Sequence, residues 1–110
     1  MGNIYRGDFK NDHFDGRLRY EGENGDTYDG EWRESKKHGY GIYHWADGSE
    51  YEGHYVDGKK HGQGRMTYPN GEVYDGNWAE GVKNGKGRIS SYKQNFTGIW
   101  KNGNLQSVVT

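Results

Sequence analysis

The sequence predicts an all-β protein, an elongated single-layer antiparallel meander of repeated β-hairpins. Two observations lead to it: a segment of about 23 residues recurs along the chain, and aromatic residues and glycines alternate with polar residues in each copy. A fixed period of this size indicates a repeat architecture, and an alternation with period two indicates strands. Residues 1–110 are treated as one domain, with repeats at about 5–27, 28–50, 51–73 and 74–95, a partial repeat at 96–105 and a tail at 106–110.

The first arm of each repeat shows the alternation most clearly. In the central copy, Tyr51, Gly53 and Tyr55 share one face of the predicted strand, while Glu52 and His54 lie on the other. Glycine has no Cβ, so a glycine on one strand leaves room for a ring from the neighbouring strand. We therefore expect aromatic rings to pack over glycines across the sheet.

Short polar segments separate the arms. Residues 57–61 are expected to form a polar, turn-rich link, and Pro69-Asn70-Gly71 ends the second arm of the same repeat. Asn-Gly and Asp-Gly favour tight turns because these residues tolerate a positive φ. No helix is expected, and Val-Val-Thr disfavours one even in the tail at 105–110. At about 4.8 Å per strand, roughly nine or ten strands predict a ribbon about 45 Å long.

The composition favours a folded domain whose apolar surface consists of rings. Only 29% of the residues are hydrophobic, but the chain has 10 Tyr, 4 Trp and 3 Phe, and its net charge is −1. Disordered segments usually have few aromatics and a high net charge. The absence of Cys excludes disulfides and permits a reducing compartment, and the polar start MGNIYRGDFK does not resemble a signal peptide. A cytoplasmic location is expected.

The pattern Tyr-x-Gly-x-Trp/Tyr, Gly-Lys-x-His-Gly-x-Gly and Pro-Asn-Gly, repeated every 23 residues, resembles the MORN (membrane occupation and recognition nexus) repeat family. The resemblance rests on YEGHYVDGKKHGQG at 51–64, YDGEWRESKKHGYG at 28–41 and YDGNWAEGVKNGKG at 74–87, and extends more weakly to 5–27 and 96–103. It implies a rod- or trough-like sheet that serves as a scaffold or interaction module, found in cytoskeletal, ciliary and junctional proteins and beside catalytic domains. It also implies association with the cytoskeleton or a membrane, since phosphoinositide binding has been proposed for some members.

The chain is not expected to be an enzyme or to need a cofactor. Acidic residues such as Glu52 and Asp75 recur in register, as expected for the solvated face of strands, and no candidate catalytic residue is unique to one repeat. The equivalent histidines His38 and His61 should stand about 10 Å apart, too far for one zinc with bonds of about 2 Å. We expect no metal site and assign these histidines to turns or hydrogen bonds.

A single sheet has no second layer to cover its aromatic face, so part of this face should be accessible. Accessible rings of this kind usually mark an interaction site. The expected partner is a protein segment, either a helix or an extended peptide, with homodimerisation as the competing use. The candidate partner-binding residues are Tyr5, Phe9, Tyr28, Trp32, Trp45, Tyr51, Tyr55, Tyr68, Tyr74, Trp78 and Trp100.

Two other functions remain open at the level of the sequence. A row of lysines along one edge would bind phosphoinositides or other anionic lipids, and the chain would alternatively be the accessory domain of a larger enzyme. Nucleic acid is not an expected partner, because the pI is about 6.5 and a basic footprint is lacking. The candidate lipid-binding residues are Lys36, Lys37, Lys59, Lys60, Lys83 and Lys86.

Overall fold

A computed structural model describes residues 2–110, which form ten strands and no helix. The strands are β1 (Ile4–Lys10), β2 (His13–Glu21), β3 (Thr27–Arg33), β4 (Lys36–His44), β5 (Glu50–Val56), β6 (Lys59–Thr67), β7 (Val73–Ala79), β8 (Val82–Ser90), β9 (Asn95–Lys101) and β10 (Asn104–Val108). They pair in chain order in one antiparallel sheet. This strand order confirms the predicted fold class, a single-layer antiparallel meander. The molecule measures 47 × 25 × 16 Å, and its longest dimension is close to the predicted length of the ribbon.

The sheet continues into the segment that the sequence assigns to a tail. Strand β10 runs to Val108, which pairs with Gly98, and Val109 N–H donates to the Thr97 carbonyl at 2.7 Å. The β-branched valines suit a strand. The fifth repeat is therefore a complete hairpin that ends beyond residue 105.

The hairpin turn inside each repeat is shorter than the sequence suggests. In the central repeat the turn consists of Asp57 and Gly58 alone, at φ of 48° and 85°. Two consecutive residues at positive φ form a type I′ turn, whose twist matches that of the paired strands. Lys59, Lys60 and His61 consequently belong to β6, and the expected five-residue link is wrong.

Neighbouring hairpin turns are bonded to one another along one edge of the sheet. Gly58 N–H donates to the Lys37 carbonyl at 2.8 Å, and Gly81 N–H donates to the Lys60 carbonyl at 2.9 Å. The imidazole Nδ1 of His38 accepts the N–H of Asp57 at 3.5 Å. These bonds tie each repeat to the next, and His38 has the hydrogen-bonding role expected of it.

The core consists of the tyrosines that open the repeats, each lying over glycine. Tyr28, Tyr51 and Tyr74 are fully buried. A Cβ added to Gly53 would lie 2.7 Å from the Tyr51 hydroxyl oxygen, and one added to Gly64 would collide with the same ring. The expectation that rings pack over glycines is therefore confirmed.

Each of these tyrosines also satisfies its hydroxyl within the core. The Tyr51 hydroxyl donates to the His54 carbonyl at 2.8 Å, and the Tyr74 hydroxyl donates to the Asn77 carbonyl at 2.8 Å. The Tyr28 hydroxyl makes the same bond to the Glu31 carbonyl at 3.2 Å. The buried phenol thus gains a hydrogen bond that offsets the loss of water.

The first repeat departs from this arrangement. Leu18 replaces the glycine, pairs with Gly7 and is buried. A Cβ added to Gly7 would collide with Leu18, whereas one added to Gly30 or Gly53 would meet a tyrosine hydroxyl. Tyr5, the counterpart of Tyr28, remains 38% exposed and stacks on Phe14 with ring centroids 4.6 Å apart.

The face opposite the rings carries charges of both signs in register. Glu52 pairs with Arg65, Arg65 with Asp75, and Asp75 with Arg88. Opposite charges placed directly across a strand pair are favourable. The recurrence of acidic residues therefore reflects a solvated, charge-alternating face, as the sequence suggests.

Candidate functional site

The aromatic face is the side of the sheet that carries the rings of β1, β2, β3, β5, β7 and β9, Tyr43 of β4, and the rings of the loops that follow β4 and β6. Edge-to-face contacts join its rings within and between repeats: Tyr28 contacts Trp32 at 5.5 Å, Tyr51 contacts Trp78 at 5.6 Å, and Tyr74 contacts Trp100 at 5.0 Å between centroids. Such geometry suits the ring quadrupole. The face is a continuous, interlocked surface.

Burial divides the eleven predicted partner-binding residues into three groups. Phe9 and Tyr5 are exposed, at 60% and 38%. Trp32, Trp45 and Tyr68 are partly buried and pack against the core. The remaining six are buried, namely Tyr28, Tyr51, Tyr55, Tyr74, Trp78 and Trp100. These six offer little or no surface in this conformation, so an interaction at this face would rely on the other five.

The six predicted lysines do not share one face of the sheet. Lys37 pairs with Trp32 and faces the rings, whereas its neighbour Lys36 pairs with Arg33 and faces the other way. Successive residues of a strand point to opposite faces, so the predicted lysines are divided between the two faces of the sheet. Lys60 and Lys83 face the rings as Lys37 does. The predicted lysines on the opposite face are Lys36, Lys59 and Lys86.

Lys37, Lys60 and Lys83 form what we call the lysine row. The Lys37 ammonium lies 5.3 Å from the centroid of Tyr43, and the Lys60 ammonium lies 5.2 Å from that of Trp45. Lys83 lies 5.1 Å from the centroid of Tyr74. A cation over a ring face within about 6 Å is attracted by the ring quadrupole. The rings therefore hold the lysine row against the aromatic face.

The lysine row lacks acidic partners among the described residues. None of its members takes part in an ion pair within residues 2–110, and the ring-facing positions of β3 to β9 carry no Asp or Glu. Burial lowers the pKa of Lys37, and burial together with repulsion from Lys37 lowers the pKa of Lys60. Lys37 and Lys60 are thus partly desolvated, and all three members of the row are without an ion-pair partner among the described residues.

The one carboxylate seen in contact with a ring of this face is fully engaged. Asp26, in the loop before β3, accepts the Tyr43 hydroxyl at 2.7 Å and the Ala46 N–H at 2.8 Å. These bonds, the first one above all, lower the pKa of Asp26. These bonds hold the carboxylate between two loops, and it forms no ion pair with the lysine row.

Two open clefts lie on the aromatic face and share Lys37 and Tyr43. The larger, of about 310 Å³, is lined by Trp45, Tyr55 and Lys60 as well. The smaller, of about 210 Å³, is lined by the residues Tyr5, Tyr20, Trp32, Lys37 and Tyr43. Together they form a path along the aromatic face from the first repeat to the third.

One donor beside this path has no acceptor in the described part of the chain. The indole N–H of Trp32 is buried and unbonded, whereas the indole N–H of Trp78 donates to the Gly64 carbonyl at 3.0 Å. Leu18 stands in the first repeat where Gly64 stands in the third. Trp32 therefore has a polar atom that is both buried and without a hydrogen-bond partner among residues 2–110.

No metal centre can be built from the described residues, because no group of three or more His, Cys, Asp or Glu side chains is close enough to hold an ion. Residues 2–110 contain no helix that is long and apolar enough to cross a membrane.

Sequence reasoning missed the placement of lysines among the rings. The signal is present, since Lys37, Lys60 and Lys83 are 23 residues apart. The face on which these lysines lie depends on the length of the preceding turn, however. A five-residue link was expected, and the observed turn has two residues. Tyr43, which lines both clefts and binds Asp26, was likewise absent from the predicted set.

Comparison with known families agrees with this geometry. No protein among the curated sequences matches the chain. The family model described as MORN repeat matches four times, at residues 5–27, 28–50, 51–73 and 74–95. These matches have the same boundaries as the first four repeats. The chain therefore belongs to the MORN repeat family, whose repeats are generally modules for interaction with proteins or membranes.

Proposed function

We propose that this chain is a non-catalytic scaffold that binds a protein partner along its aromatic face. The observation that carries the proposal is the path of two adjoining clefts, which share Lys37 and Tyr43 and are lined by Trp32 in one and Trp45 in the other. A single-layer sheet leaves this path uncovered, and partly buried Tyr and Trp side chains are typical anchors of protein interfaces. The cytoplasm is the proposed setting, with attachment to cytoskeletal or membrane structures.

The proposal extends to a chain that acts as the accessory domain of a larger enzyme, because the aromatic face would serve there in the same way. A membrane is a weaker choice of partner, because the predicted lysines are divided between two faces of the sheet. On the opposite face, Lys59 lies 3.5 Å from Glu80. Anionic lipid is therefore treated as an outcome of the tests below.

Site-specific crosslinking tests the proposal. A photo-crosslinking residue, benzoylphenylalanine, replaces Trp45 on the aromatic face, and in a matched control it replaces Tyr40, an aromatic residue that is 40% exposed and pairs with His54 on the opposite face. We expect a protein partner to crosslink from position 45 and not from position 40. Trp45→Ala should weaken binding of that partner by about tenfold or more, as for a typical interface anchor.

Circular dichroism of each variant first establishes that the sheet is intact. Crosslinking of the same proteins from both positions, or of none from position 45, would show that the aromatic face has only a structural role.

A further inference from the structure

The lysine row places three positive charges at regular intervals along the long axis of the sheet. Lys37, Lys60 and Lys83 occupy equivalent positions on β4, β6 and β8, with one strand between each pair. Strands are about 4.8 Å apart, so the members of the row follow one another at about 10 Å. The row therefore offers charge with a defined spacing.

The charges of the row are uncompensated, in contrast to those of the opposite face. Bases there stand across from acids, as Arg65 stands across from Glu52 and Asp75. Each ammonium of the row lies against aromatic rings and forms no ion pair with a described residue. Hydrogen bonds between ammonium and carboxylate groups are stronger than neutral ones, so carboxylates arriving at this face would find donors that the chain itself does not use.

The backbone of the sheet limits the conformation of a segment lying across this face. Strands β2 to β9 are each paired on both sides, so their N–H and C=O groups are already committed to the sheet. An extended peptide would therefore leave its own backbone groups unpaired against the rings, which is costly. A helix satisfies its backbone internally and presents side chains only.

We propose that the lysine row selects an acidic amphipathic α-helix whose Asp or Glu residues recur every seven positions. An α-helix rises about 1.5 Å per residue, so seven residues span about 10.5 Å, which matches the spacing of the row. The apolar residues of the same helix face would enter the clefts beside Tyr43 and Trp45. This inference rests on the proposed function and adds the chemistry and the register of the partner.

A displayed library of 18-residue helices tests the inference. One helix face is randomised, and helices are selected on the wild-type chain, on Lys37→Gln/Lys60→Gln/Lys83→Gln, and on the charge-matched control Lys36→Gln/Lys59→Gln/Lys86→Gln. Wild type and control should enrich helices with acidic residues seven apart. The lysine-row variant should lose this preference and bind such a helix about tenfold more weakly or worse, as expected for loss of close charge pairs.

Further variants keep the result interpretable. Lys60→Gln alone, which perturbs the fold least, should remove the acidic preference at the middle position only, and replacement of all three row lysines by Arg should preserve it. Selected helices without acidic enrichment, or with equal enrichment on the lysine-row variant, would overturn the inference and leave the proposed function standing.

Two remaining outcomes also decide the matter. Selection of no helix by the aromatic face would overturn the inference, and crosslinking at position 45 would then decide the fate of the proposed function separately. Binding of phosphatidylserine vesicles that depends on the lysine row, in place of helix selection, would assign the row to a membrane.

Discussion

At the scale of the residue, the sheet depends on a unit made of one tyrosine and two glycines. The ring of Tyr51 covers the paired backbones of Gly53 and Gly64, and its hydroxyl is bonded to the His54 carbonyl. Glycine weakens a strand through its entropy cost. Here that cost is offset because a large ring is fully buried in a sheet that has only one layer.

This unit predicts a steric effect of adding a methyl group under the ring. Gly64→Ala should lower the free energy of unfolding by about 1–3 kcal/mol, because the Cβ collides with Tyr51 and overpacking costs that much. Gly53→Val adds a larger side chain against Gly64 and should prevent folding. Urea denaturation followed by circular dichroism measures the first effect, and the yield of soluble protein measures the second.

Gly2→Ala is the control, since a Cβ at Gly2 would meet nothing within 4 Å and its φ is not in the left-handed region. Equal stability of the Gly64→Ala and Gly2→Ala chains would mean that the ring can move aside at little cost.

At the scale of the element, the hairpin turns share one backbone geometry but use different residues. The second turn residue is Gly in the turns at Gly58, Gly81 and Gly103, but it is Asp12 and Ser35 in the first two hairpins. A residue with a Cβ is strained at positive φ by up to about 1–2 kcal/mol, and Asp, which tolerates this region better than most, by less. The first two hairpins therefore carry strain that the later ones avoid.

A reciprocal pair of substitutions measures this strain. Asp12→Gly should raise the free energy of unfolding, because residue 12 sits at φ of 65°, and Gly58→Asp should lower it, each by about 1 kcal/mol. A Cβ at Gly58 would meet nothing within 4 Å, so no steric clash of the new Cβ contributes to the second effect. Thermal unfolding of the two variants provides the measurement, and changes of the same sign would refute the argument.

The same turns show how far the sequence could predict the structure. Its period and alternation sufficed for the fold, because both depend on the side-chain pattern alone. The division of the lysines between two faces could not be predicted, because Lys59, Lys60 and His61 resemble a polar loop in the sequence. In the structure these three residues begin β6. The sequence also could not predict that Tyr51 is buried whereas Phe9 is exposed. The exposed fraction of a ring depends on how many strands flank it.

At the scale of the whole molecule, buried phenols make the fold sensitive to alkali. Burial raises the pKa of Tyr28, Tyr51 and Tyr55 above the ordinary value of 10.0, and it raises the pKa of Tyr74 to about 12. Above pH 10 the unfolded chain loses phenolic protons that the folded chain retains. Stability must therefore fall as the pH rises beyond this value.

Parallel titrations check this prediction. Tyrosinate absorbance at alkaline pH should rise in a cooperative step that coincides with loss of the β-sheet signal in circular dichroism, because these phenols ionise only when the sheet opens. Full ionisation of all tyrosines while the circular dichroism signal remains native would contradict it.

The pairing of strands in chain order also determines how the molecule responds to tension. Its first and last strands lie at opposite ends of the sheet, so a pull on the two termini acts along the interstrand hydrogen bonds and breaks them a few at a time. Each 23-residue repeat that opens releases up to about 80 Å of chain, at roughly 3.5 Å per residue. A sheet of this design should extend stepwise under low load, so the length of the proposed scaffold would follow the distance between the structures that it joins.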